Sequence, residues 1–164
     1  MVDYQQWLFA ALHIERKALA TEHHAEPALP SDWADMHGWP ELAGTVAQVV
    51  QALPPEDRER AVIVARNYGE AAAIEFFNGS NGFPPVISGH NQYFLWGTHG
   101  RSGNVLIDVG GDCGAAKHLF ETSERAATFT SPWIMPYEDN LPIMVCRGIK
   151  KPLAEVWPGI RFYR

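Results

Sequence analysis

The chain has 164 residues, 46% hydrophobic and 20% charged, so it is long enough for a packed core that buries roughly 70% of the unfolded surface. Its net charge of −6 argues against a nucleic-acid partner, which demands a basic face to neutralise phosphates. No stretch approaches the roughly 20 apolar residues that span a bilayer, and Asp3 stands where a signal peptide would carry positive charge.

In chain order, Trp7, Leu8, Ala11, Leu12 and Ile14 recur at helical spacing between Tyr4 and Leu19, predicting an amphipathic helix. Thr21 to Ser31, polar and broken by Pro27 and Pro30, reads as a linker. Residues 1–30 are therefore expected to form an N-terminal helix and linker, and 31–164 a single α/β domain. Pro40 suits the start of a second helix. Leu42, Val46, Val49, Val50 and Leu53 share one of its faces, and Pro54-Pro55 end it. A charged turn, Glu56 to Arg60, leads into Ala61-Val62-Ile63-Val64-Ala65, an apolar run of the kind found in strands covered on both faces.

Asn67 is placed to cap the next helix, with Glu70 reaching back in the manner of a capping box. Ala71 to Phe77 supply the helix body, and Asn78 to Gly82 stop it. Pro85 to Ser88 and Asn104 to Val109 are further strands, separated by an aromatic loop. Asp112 is expected to cap a short helix through Phe120. Ala126 to Thr130 and Ile143 to Cys146 are two more strand candidates, flanking a proline-rich segment from Ser131 to Pro142. The basic run Arg147 to Lys151 reads as solvated surface, and Pro152 to Val156 as a last short helix. The order implies a layered α/β domain with a mostly parallel or mixed central sheet flanked by helices.

Ligands of such sheets gather beyond the carboxyl ends of the strands. That rule collects Asn67, Tyr68 and Glu70 after the first strand, Ser88, His90 and Asn91 after the second, and Gly110-Gly111-Asp112 after the third, with Ser131-Pro132-Trp133 after a fourth. Tyr93 and Trp96 add amphipathic rings of the kind that bind sugars and peptides through a flat face and a polar tip. His90 is the most reactive of the set, either as a base or as a backbone-bonded structural residue. No GxSxG serine elbow accompanies it, and no phosphate-loop pattern surrounds Gly110. Asp35 and His37 could join His90 around a metal, but the set is sparse, and neither metal nor cofactor is expected. Glu70 and Glu138 could serve as paired carboxylates of a glycosidase; helix cap and loop carboxylate are the plainer roles. Tyr137 and Trp133 complete the aromatic set, about half of which belongs to the core. Cys113 and Cys146 fit neither a CxxC pair nor a disulfide framework. One bridge could form in an oxidising compartment, but two free buried thiols are the expectation.

Several segments resemble the soluble C-terminal domain of bacterial membrane glycosyltransferases of the dolichyl-phosphate-mannose–protein mannosyltransferase type (family 39 and its relatives). They are Ala34-Asp35-Met36-His37-Gly38-Trp39 with Glu41-Leu42; Leu53-Pro54-Pro55-Glu56-Asp57-Arg58; and Ala65-Arg66-Asn67-Tyr68-Gly69-Glu70-Ala71. Further matches are Ile87-Ser88-Gly89-His90-Asn91 with Tyr93 and Leu95-Trp96-Gly97; Pro136-Tyr137-Glu138; and Leu141-Pro142-Ile143 with Cys146-Arg147-Gly148. The resemblance runs from about residue 30 to the end. It implies an extracytoplasmic, non-catalytic accessory domain whose partner is the membrane-embedded part of such an enzyme, and whose ligand is a glycan, acceptor or lipid-phosphate sugar. The family's catalytic acid lies in the membrane part, so the resemblance carries no catalytic residue to this chain. A stand-alone hydrolase or metal-dependent enzyme using His90 with Glu70 or Asp35, and a purely structural or interaction module, are the competing expectations.

Overall fold

The computed structural model describes residues 2–12, 29–79, 82–114 and 118–163. They fall into two compact units, one comprising the chain to Gly38 together with Thr130–Asp139, the other Trp39–Phe129 with Asn140 onward.

The first unit holds helix α1 (Val2–Leu12), the single-turn helix α2 (Ser31–Ala34) and a short 3-10 turn, Pro136–Glu138. Its apolar centre is Leu29, Ala34 and Met135, against which Trp33, Trp133 and Tyr137 pack. The expected helix from Tyr4 is present as α1; its continuation past Leu12 and the linker at 21–28 lie outside the described residues.

The second unit is a mixed five-stranded sheet with helices on both faces, the α/β class anticipated from the sequence. Helix α3 (Trp39–Ala52) buries Leu42, Ala43, Val46, Val49 and Val50, the stripe read from its periodicity. What looked like a charged turn is a helix, α4 (Pro55–Arg60). Pro55 opens it, acids Glu56 and Asp57 occupy its first turn and Arg58 and Arg60 its last, matching the helix dipole at both ends. Arg58 also donates to the carbonyls of Val50, Gln51 and Leu53 at 3.1, 2.6 and 3.1 Å, satisfying acceptors that the end of α3 leaves without helical partners.

Strand β1 (Ala61–Ala65) follows at once, then helix α5 (Tyr68–Asn78), strand β2 (Val86–Ile87), helix α6 (Gln92–Trp96) and strand β3 (Val105–Val109). The sheet is completed by β4 (Phe120–Phe129) and β5 (Leu141–Ile149), and the short helix α7 (Leu153–Val156) runs into a final 3-10 turn, Trp157–Ile160. The strand order is β2-β1-β3-β5-β4. β1 pairs parallel to both neighbours, Ala61 to Ala65 running opposite Val105 to Val109, while β5 is antiparallel to β3 and to β4.

The uninterrupted apolar run of β1 now has its cause. Val62 joins Ile87, Leu106, Cys113, Cys146, Leu153 and Trp157 in a buried cluster on one face, while Ala61, Ile63 and Ala65 are equally buried on the other, where α5 packs on β1 and α3 on α5. The aromatic loop between β2 and β3 contains α6, and the helix expected from Asp112 to Phe120 is not formed among the described residues. Cys113 and Gly114 form a turn, and Phe120 already belongs to β4. Of the described helices, none is long and apolar enough to cross a membrane.

Candidate functional site

The chain leaves β1 through α5 to reach β2 on one side, and leaves β2 through α6 to reach β3 on the other. The crevice beyond the carboxyl ends of β1 and β3 is thus the switch point of the sheet, where open α/β folds bind ligands.

At β1, Asn67 caps α5: its Oδ1 accepts the Glu70 N–H at 2.8 Å. Glu70, fully buried, does not close the expected capping box onto Asn67. Its carboxylate instead accepts the Arg66 backbone N–H at 2.9 Å and the Arg66 guanidinium at 2.8 and 3.2 Å. A carboxylate without water must be charge-paired, so Glu70 is a structural anchor that fixes the Arg66–Asn67–Tyr68 turn.

Beyond β2, Ser88 is fully buried and its Oγ accepts the His90 N–H at 3.2 Å. The chain end joins this turn: Phe162 donates its N–H to Gly89 at 3.0 Å and accepts that of Asn91 at 3.1 Å. Gly89 is required here, because a methyl group would run into the Ile160 carbonyl oxygen. His90 is stacked on Phe162 with ring centres 4.7 Å apart and planes 6° from parallel, while Tyr68 lies 5.1 Å away, tilted by 42°. The Tyr68 N–H reaches His90 Nδ1 at 3.4 Å, so the neutral imidazole keeps its proton on Nε2. Burial lowers the His90 pKa from its ordinary value, favouring that neutral form. Tyr68 is 54% exposed and Phe162 37%, so the three rings make one open aromatic surface.

At β3, the Asp108 carboxylate accepts the Cys113 N–H at 2.8 Å. Burial, with Asp112 and Glu70 nearby, pushes its pKa up to about 6 against the pull of that bond and of Arg66. Cys113 and Cys146 form a disulfide, which corrects the expectation of two free thiols. Sequence distance misled: β5 runs antiparallel to β3 with Cys146 opposite Leu106, and the turn after β3 folds Cys113 back onto it.

Of the residues singled out in the sequence, Asn67, Tyr68, Glu70, Ser88, His90 and Asn91 do gather on this edge. Tyr93 turns inward and donates to Glu75 at 2.8 Å, and burial with that carboxylate raises its pKa. Trp96 stays 57% exposed on α6, edge-on to Tyr93. Asp35, His37 and Glu138 belong to the first unit, and Glu70 is held by Arg66. The Arg147 end of the basic run is not simply solvated; its guanidinium reaches Asp57 at 3.0 Å and Glu124 at 2.7 Å. Phe162, Arg66 and Asp108 were missed. The first lies 72 positions from His90, and no local pattern announces its return. No protein family, curated protein or solved structure matches the chain.

Proposed function

We propose that this chain is a non-catalytic saccharide-binding accessory domain, acting on the extracytoplasmic side beside a membrane-embedded glycosyltransferase, which the sequence resemblance suggests as its partner. The observation that carries the binding role is the Tyr68–His90–Phe162 surface: three rings on one edge, two of them substantially exposed, held in place by backbone hydrogen bonds. Sugars bind by laying apolar C–H faces on such rings while polar tips bond to hydroxyls. The Tyr68 hydroxyl and the His90 Nε2–H supply those tips. The buried disulfide supports a compartment that is oxidising. A catalytic role draws no support from the paired acid and base that hydrolysis requires, because Glu70 is locked to Arg66.

Titration of the labelled chain with neutral oligosaccharides, read by amide shifts in NMR, tests the reading. Perturbations centred on Tyr68, His90 and Phe162, and weakened roughly tenfold by Tyr68→Ala, are the expected result. Shifts elsewhere, or none at millimolar saccharide, would discard the binding role.

A further inference from the structure

One group of donor atoms stands outside the aromatic surface. A carboxylate oxygen of Asp108 and the two sulfurs of Cys113 and Cys146 all lie within 4.8 Å of one another. Both cysteines are buried and Asp108 is half-buried. We propose that the reduced form of this chain binds a thiophilic divalent cation, of the zinc class, through Asp108, Cys113 and Cys146.

The geometry suits that ion. Tetrahedral zinc with sulfur at about 2.3 Å and oxygen at about 2.0 Å holds its donor atoms roughly 3.5–3.8 Å apart. Once the S–S bond opens, the sulfurs must separate to about that distance, and the carboxylate, within 4.8 Å of both, needs to close by no more than about an ångström. The ligands sit on three separate pieces of backbone: β3, the turn beyond it, and β5. The Cys113 N–H fixes the Asp108 carboxylate toward the sulfurs, and Gly111 is bare where a methyl group would collide with that carboxylate. Two thiolates and one carboxylate form a soft, anionic set that favours zinc over magnesium or calcium, and water fills the fourth position.

Metal and disulfide are alternative uses of the same sulfurs. An external dithiol donates two electrons and two protons, cleaves the Cys113–Cys146 bond and becomes a disulfide itself. The cation then displaces the two thiol protons. The oxidised chain offers only the carboxylate and is silent toward the ion. The inference does not depend on the saccharide reading, since it concerns other residues and another ligand.

The test uses Co(II) as an optical probe on the whole chain, oxidised and after phosphine reduction. The reduced chain is expected to take up one equivalent with a thiolate-to-cobalt charge-transfer band, which Zn(II) then bleaches. The oxidised chain, which keeps every histidine, is expected to show no such band. Asp108→Asn should weaken the reduced chain's affinity at least about tenfold, and Cys113→Ser should remove most of the band. Equal Co(II) binding by both forms, or unchanged affinity in Asp108→Asn, overturns the proposal. If reduction unfolds the chain, Zn(II) must restore the far-ultraviolet dichroism; failure to do so overturns it equally.

Discussion

Arg66 and Glu70 form a closed ring: the Arg66 backbone N–H and guanidinium both donate to the one Glu70 carboxylate, which is fully buried. Truncating the cation would leave a charge with no water and no counter-ion. Arg66→Ala is therefore expected to lower unfolding free energy by about 2–3 kcal/mol, somewhat under the usual cost because the guanidinium is itself partly exposed. Glu70→Gln should cost less, and the double variant less than the sum of the two. Urea unfolding at constant m-value measures all three.

The chain end is held to the β2 exit by two backbone hydrogen bonds and the His90–Phe162 stack, and Gly89 makes room for it. Gly89→Ala should push Ile160 away and cost about 1–3 kcal/mol. Amide exchange at Phe162 and Asn91 is expected to accelerate well beyond that of β1. Unchanged protection at Phe162 would show that the strap is not anchored there.

The disulfide spans 33 positions. On the chain-entropy account, a loop of that length stabilises the fold by about 3–4 kcal/mol. Both sulfurs lie in the cluster that packs α7 and the Trp157 turn on the sheet, so reduction should expose Trp157 before it disrupts β1. Urea midpoints with and without reductant, followed by tryptophan emission, would show the loss. A change below about 1 kcal/mol would contradict the assignment.

How far the sequence carried depends on how local each determinant is. The β1 run, the α3 stripe and the Asn67 cap are written within a few residues, and each formed where it was expected. The carboxyl-edge rule then brought Tyr68 and His90 together correctly, since it requires only strand direction. α4 escaped notice because its six residues bury nothing; its order is set by end charges and by Arg58 reaching back to α3. The Cys113–Cys146 pairing and the Phe162 stack were illegible for another reason. Both are fixed by non-local pairing, and sequence separation carries no sign of which distant strand or strap will arrive.

Asp108 gives the last expectation, with its sign. Its carboxyl is raised from 3.8 to about 6 in the folded chain, first by burial, then by the neighbouring Asp112 and Glu70. Between those two values the native state binds more protons than the unfolded one, so stability falls as pH rises from about 4 to about 6, and levels off above. Two units correspond to nearly 3 kcal/mol; with partial exposure, about 2 kcal/mol is the expected span. Asp108→Asn keeps an acceptor for the Cys113 N–H yet has nothing to titrate. It should match the parent chain near pH 4 and exceed it by about 2 kcal/mol at pH 7 to 8. The difference between the two stability curves isolates this one group from the other acids. A difference that is flat with pH, or that favours the parent chain at neutral pH, would mean the Asp108 carboxylate is stabilised by its surroundings and not resisted by them.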